Sequence, residues 1–146
     1  MISVQRSVAH PWMCDVLGHL TTRFYVGMFD DASYHLLHAV FGWTGASDDA
    51  GKTAWVDARH LIEYQAEVTA GDLLEIHACL TRVGTKSITV YYEMTNFGNN
   101  EKAATMEVIY VLFDLEKRKG LALTDELREK ASKHLVRDTT QVVTGQ

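Results

Sequence analysis

Proline, cysteine and long apolar runs are scarce in this chain. Its 146 residues hold one proline, Pro11, and two cysteines, Cys14 and Cys79. Two cysteines are too few for a disulfide framework and lack metal-site spacing, so a reduced, cytoplasmic setting is the expectation. No apolar run approaches the ~20 residues that span a bilayer, which predicts no membrane partner. The first residues, MISVQRSVAHPW, alternate apolar and polar positions, unlike the basic-then-apolar pattern of a signal peptide. Basic charge is also short: 14 Lys and Arg against 19 Asp and Glu give a formal net charge of −5. That argues against a nucleic-acid partner. Gly-rich phosphate loops are missing, seven scattered histidines form no ligand cluster, and neither Ser33 nor Ser87 sits in a nucleophile elbow.

What the chain does have is apolar periodicity. Hydrophobic residues make up 47% and charged residues 23%, enough for a sizeable core in one domain over residues 1–146, with residues 138–146 expected to fray. Residues 2–8 alternate weakly as a strand, which Pro11 ends. Between Thr22 and Phe41, Tyr25, Met28, Phe29, Ala32, Leu36, Ala39 and Val40 recur at helical spacing. Thr21 or Thr22 can cap that helix and Gly42 can end it. From Ala54 to Val68 the even positions are mostly apolar and the odd ones mostly polar, the pattern of a long half-buried strand. The sequence TAGD then turns, and strands at Leu74–Leu80, Ile88–Met94 and Ala103–Phe113 follow as a meander. A short amphipathic helix occupies residues 124–135. One helix laid against a long antiparallel sheet of about five strands is an α+β layer architecture.

The stretch CDVLGHLTTRFYV, residues 14–26, places an acid and a Gly-His pair directly before the long helix. In order with IEYQAEVTAGDLLEI at 62–76 and VGTKSITVYYEMTN at 83–96, it resembles the hot-dog fold, and within it the 4-hydroxybenzoyl-CoA thioesterase-like acyl-CoA thioesterases. Asp15, Gly18, His19, Leu20 and Tyr25 stand in register with the family's D-x-x-G-H motif and its helix. Where that family has Asn-Asn, this chain has Thr21-Thr22; where an acid often precedes the catalytic one by two residues, it has Met13. Around GHLTTRFYV it is also similar to thioesterases of the betainyl-CoA type.

The resemblance implies cofactor-free hydrolysis of an acyl-CoA by a homodimer or homotetramer whose active sites lie between subunits. It assigns Asp15 as nucleophile or general base and the backbone N–H near Thr22 as oxyanion donor. Such chemistry suits the spacing: a carboxylate attacks or activates water, and a helix N-terminus offers unpaired donors and a positive dipole end. Gly18 lets the chain turn between them. His19 is either a loop-bonding ring or an acid–base group, and Tyr25 packs while its hydroxyl could reach the site. His60, on the apolar face of its strand, is either a hydrogen-bonded core residue or a cleft residue facing a subunit boundary. Arg59 points to the opposite face and could meet coenzyme A phosphates, as could Arg82, Lys86, Arg118 and Lys119. Trp12, Trp43 and Trp55 are packing residues unless two of them converge on the acyl pocket, where they could hold an aromatic or quaternary-ammonium group. Two other readings remain on the same fold: a hydratase or dehydratase, and a non-catalytic acyl-CoA-binding module.

Overall fold

The computed structural model describes residues 1–45 and 51–136, so the expected frayed tail lies outside the described residues. Strand β1 (Ile2–Val8) leads through a 3-10 turn at Pro11–Met13 to helix α1 (Thr22–Phe41). Strands β2 (Thr53–Tyr64), β3 (Leu73–Val83), β4 (Ser87–Asn96), β5 (Glu101–Asp114) and the two-residue β6 (Lys119–Gly120) follow, then helix α2 (Asp125–Ser132). All pair antiparallel into one six-stranded sheet in the order β1-β3-β4-β5-β2, with β6 on β5.

Helix α1 forms because its apolar positions fall three and four residues apart, and it stops where Gly42 adopts the left-handed conformation (φ 72°) and returns its N–H to His38. Its buried stripe is Tyr25, Met28, Phe29, Ala32, Ser33, Leu36, Leu37, Val40 and Phe41. Ala39, expected inside, is exposed, because the stripe runs along positions 33, 37 and 41 instead. The stripe meets the inward side chains of β3, β4 and β5, among them Ile76, Leu80, Val90, Tyr92, Met106, Val108 and Tyr110. Each such fully buried side chain contributes roughly 1.5–3 kcal/mol of transfer free energy.

Three sequence expectations about the sheet are corrected. The four-strand meander is a three-strand one, β3-β4-β5; β2 does not pair with β3 but lies at the far edge against β5. The strand expected to reach Val68 leaves the sheet after Tyr64. Residues 65–72 cross instead to the loop before α1, where Leu20 N–H donates to Val68 O at 2.7 Å and His19 bridges Thr69. The expected half-buried face of β2 is also altered. Its register slips between Asp57 and Arg59. A bulge inserts one residue and reverses which parity faces the core. Trp55, at an odd position, is therefore buried and stacks on Phe41 at 4.8 Å, whereas Tyr64, at an even one, meets Tyr25 at 5.1 Å. Between them β2 is largely exposed, Leu61 at 47%, as an edge strand with no neighbouring strand on its outer side among the described residues.

Inside the core one polar chain ties sheet to helix. The hydroxyls of Tyr92 and Tyr110 lie 2.9 Å apart, and both residues are almost wholly buried. The Ser33 hydroxyl bonds Tyr110 as well, and donates to the Asp30 carbonyl at 2.7 Å. Burial pushes both phenols well above their ordinary pKa, so they stay protonated. Tyr110→Phe leaves the Tyr92 hydroxyl without a partner and is expected to cost about 1–3 kcal/mol. The Tyr92→Phe/Tyr110→Phe double variant should cost clearly less than the two single changes added together. Urea unfolding midpoints of the three variants measure this; simple additivity would contradict it.

Candidate active site

The loop between the 3-10 turn and α1 is closed by its own acid. Asp15 Oδ1 accepts the N–H of Leu17 at 2.8 Å and of His19 at 3.2 Å. The Asp15 backbone donates to His19 O, and Gly18 donates to Asp15 O at 3.0 Å. The chain can reverse so tightly because Gly18 takes φ +81°, where a side chain would be strained. Both donors converge on one carboxylate oxygen. Oδ2 has no protein donor among the described residues. The Asp15 carboxylate thus holds its own loop and, among the described residues, takes no N–H of α1.

Nor does either threonine cap the helix. Thr21 stands at the N-cap position in extended conformation (φ −73°, ψ 147°) but makes no side-chain cap bond. Its hydroxyl and its N–H both donate to Met13 O, at 2.9 and 3.0 Å. The expectation that Thr21 or Thr22 caps α1 is thus corrected. The reason is that Met13 O lies closer at hand and captures the hydroxyl. The first N–H groups of α1, those of Thr22 and Arg23, have no carbonyl four residues back within the helix. They stand as donors at its positive end.

These groups open onto one cleft of about 420 Å³, lined by Asp15, His19, Thr22 and Tyr25 from the loop and helix and by Tyr64, Gln65 and Glu67 from the crossing segment. His19 Nε2 lies 3.3 Å from Glu67 Oε2, which holds the ring over the loop. Burial, then the charges of Tyr64, Asp72, Cys14 and Glu67, raise the Tyr25 phenol above its ordinary pKa, so it is an O–H donor at neutral pH.

The structure therefore brings Asp15, His19, Thr22 and Tyr25 together, with Gly18 shaping the loop. It does not bring Trp12, Arg59 or His60 into that cleft. Trp12 is 67% exposed, stacked on His10 and edge-on to Phe24. Arg59 points outward and pairs with Glu107 at 3.7 Å. His60 sits along β2 with Nε2 3.2 Å from Asp57 Oδ2. Of the other basic candidates, Arg118 lies over the Phe113 ring and Lys119 on β6. Trp43 and Trp55 do converge, but on a second cavity further along α1, with Asp30, Tyr34 and Asp57. The sequence reading missed Tyr64, Gln65 and Glu67 because it placed them on a regular strand. The signal available was the Y-x-A-x-V run, which carries the fold resemblance. Among the described residues no group of three metal-ligating side chains forms, and no helix is long and apolar enough to cross a membrane.

Solved structures share this architecture. A probable thioesterase, YbaW of Escherichia coli, superposes with TM-score 0.75 at 24% identity, covering 90% of this chain and 98% of its own. The 1,4-dihydroxy-2-naphthoyl-CoA thioesterase Slr0204 of Synechocystis gives 0.76 at 16% identity, covering 88% and 93%. The protein SAV2348 of Staphylococcus aureus, solved in complex with CoA, gives 0.80 at 14%, covering 94% and 89%. These likenesses show the hot-dog fold. No curated protein sequence matches the chain. The family model described as the thioesterase-like superfamily matches residues 9–131, spanning the Asp15 loop, α1, strands β2 to β6 and most of α2. The chain belongs to the thioesterase-like superfamily, and its enzyme class is thioester hydrolase.

Proposed function

We propose that this protein hydrolyses a short or compact acyl-CoA to the free acid and coenzyme A, with Asp15 as the reacting carboxylate. The observation that carries this is a carboxylate fixed by two backbone N–H groups through one oxygen, beside uncapped helix donors in the same cleft. Asp15 Oδ2 either attacks the thioester carbon or takes the proton from an attacking water. In either case negative charge grows on the carbonyl oxygen, where the Thr22 N–H offers a preorganised donor. The Tyr25 hydroxyl and the His19 ring, held by Glu67, polarise or position the same group. CoA is the carrier expected from the family, and the CoA-bound staphylococcal neighbour supports it.

Several parts of this reading rest on pattern. The chain is one hot-dog domain over residues 1–146, acting in the cytoplasm with reduced Cys14 and Cys79. It needs no cofactor and binds neither nucleic acid nor membrane. Two copies join through the exposed edge of β2, as dimer or tetramer, because an unpaired edge of twelve residues is otherwise open to association. Trp12, Arg59 and His60 then contact substrate, the latter two from β2 itself. The compact acyl class includes the betainyl type to which residues 18–26 are similar. The threonines favour compactness, since a β-branched residue narrows the space at the helix start and lacks an amide donor.

Four outcomes test this. Asp15→Asn keeps an acceptor for the loop N–H groups yet should lower kcat at least ~100-fold, the scale of a positioned acid–base group. Binding of an inert CoA analogue should hardly change, and near-normal turnover would refute the role. At the N1 position of α1 proline is well accommodated, and Thr21 already has the extended backbone that precedes it. Thr22→Pro should therefore fold normally and lose activity, while Thr22→Ser stays close to the parent. Both are to be assayed on the best substrate of an acetyl- to palmitoyl-CoA series, in which an optimum at long chains would contradict a compact pocket. Sedimentation at micromolar concentration should show at least a dimer; a monomer would exclude the β2 junction.

A further inference from the structure

Outside the Asp15 cleft, beside the start of α1, stands an aromatic cluster that the core does not use. The His10 and Trp12 rings stack with centroids 5.7 Å apart and planes within 7° of parallel. Phe24 meets Trp12 edge-on at 5.5 Å, and the Arg23 guanidinium lies over the Phe24 ring, 4.7 Å from its centroid. Trp12 keeps 67% of its surface exposed with both ring contacts made, and His10 and Arg23 are exposed as well. A lone exposed apolar side chain is ordinary; three aromatic rings and a guanidinium in mutual contact form a patch that calls for a ligand or a partner. The backbone beneath the patch is fastened. Met13 N–H donates to His10 O at 2.9 Å, Cys14 N–H to Pro11 O at 3.1 Å, and Thr21 ties Met13 O to the helix start. The rings are therefore presented on a fixed turn, with little ordering left to do when something stacks on them.

Charge selects the ligand class. Arg6, Arg59, Lys102, Lys130 and Lys133 each pair with a carboxylate, whereas Arg23 has no acidic partner among the described residues. Arg23 also sits in the first turn of α1, at its positive end, in a chain whose formal net charge is −5. Open, flat rings give an aliphatic group no enclosed pocket, but they stack well on a planar heterocycle. A planar guanidinium beside them matches a phosphate bidentately. A base joined to a phosphate satisfies both. The position then links the patch to the reaction. Arg23 follows Thr22, which lines the cleft, and Trp12 stands three residues before Asp15, at most about 11 Å along the chain. The pantetheine arm of CoA is long enough to cover that distance. We infer that His10, Trp12, Phe24 and Arg23 form a docking platform for the adenosine 3′-phosphate end of a CoA thioester cleaved at Asp15 of the same chain. The adenine stacks on Trp12 and Arg23 takes the 3′-phosphate. This rests on the thioesterase reading above and adds to it the place where the nucleotide is held.

The test uses three thioesters of the best acyl group in the acetyl-to-palmitoyl series: the CoA ester, the dephospho-CoA ester without the 3′-phosphate, and the pantetheine ester without the nucleotide. The parent enzyme should favour CoA over pantetheine by about tenfold or more in kcat/KM, the scale of one base stacked on an aromatic ring. It should favour CoA over dephospho-CoA several-fold, through the charge-assisted bonds of one phosphate. Trp12→Ala should raise KM for the CoA ester and bring its kcat/KM close to that of the pantetheine ester. Trp12→Phe keeps a stacking face and should retain most of the preference. Arg23→Gln should erase the distinction between CoA and dephospho-CoA, and should weaken competitive inhibition by adenosine 3′,5′-bisphosphate. Equal hydrolysis of the CoA and pantetheine esters by the parent would overturn the platform and leave the thioesterase reading standing. So would a Trp12→Ala loss shared equally by both esters, or a 3′-phosphate preference unaltered by Arg23→Gln. Hydrolysis of none of the three would overturn both.

Discussion

The burial of one face of α1 against the concave side of the sheet is the constraint on which the rest depends. Phe29, Leu36 and Ala32 have no accessible surface, and the Tyr92–Tyr110–Ser33 hydroxyl chain fastens the same buried face of the helix. With the axis so held, the positions of both cavities follow. The N-terminus of α1 is presented beside the Asp15 loop, and its middle forms one wall of the aromatic cavity. A helix free to slide by one turn, about 5.4 Å, would separate donors from carboxylate.

What stands at the helix start is shaped by small competitions between hydrogen bonds. Asp15 is taken by the N–H groups of its own loop, and Thr21 by the carbonyl of Met13. Each bond stiffens the loop, and together they leave the first-turn N–H groups of α1 unsatisfied by side chains. Uncapped donors carry a stability cost, typically near 1 kcal/mol for a missing cap. Keeping them free at the mouth of a cleft is what oxyanion stabilisation requires. The crossing segment adds Glu67, whose carboxylate fixes His19, and closes the loop through the Leu20–Val68 bond.

Much of the fold was legible because burial imposes periodicity. The 3.6-residue spacing of Tyr25, Met28, Phe29, Ala32 and Leu36 marks α1 at its observed limits, apolar alternation marks β3 and β4, and an apolar-rich run marks β5. The alternation along residues 54–68 was equally regular, yet it misreported the inward face near Trp55. A bulge adds one residue without altering composition, so parity reverses with no local mark in the sequence. Strand order was hidden for a related reason. Nothing in TAGD distinguishes a tight hairpin from a turn that ends a crossing over the helix start, because the difference lies in which distant strand supplies the hydrogen bonds.

The Asp15 loop shows the same division. That an acid, a glycine and a histidine precede a buried helix is a matter of spacing along the chain, and local geometry preserves it: Gly18 takes the positive φ that its position demands, and Asp15 bonds within four residues. By itself, then, the sequence determined the helix, the alternating strands, the family motif and the acid at its centre, since all of these are interactions between near neighbours. The tertiary structure alone decided that Glu67 meets His19, that Trp43 and Trp55 gather around Asp30 and Asp57, and that Arg59 turns outward to Glu107. Those contacts join residues far apart in the chain, whose meeting depends on sheet order, bulge and crossing rather than on any spacing between them.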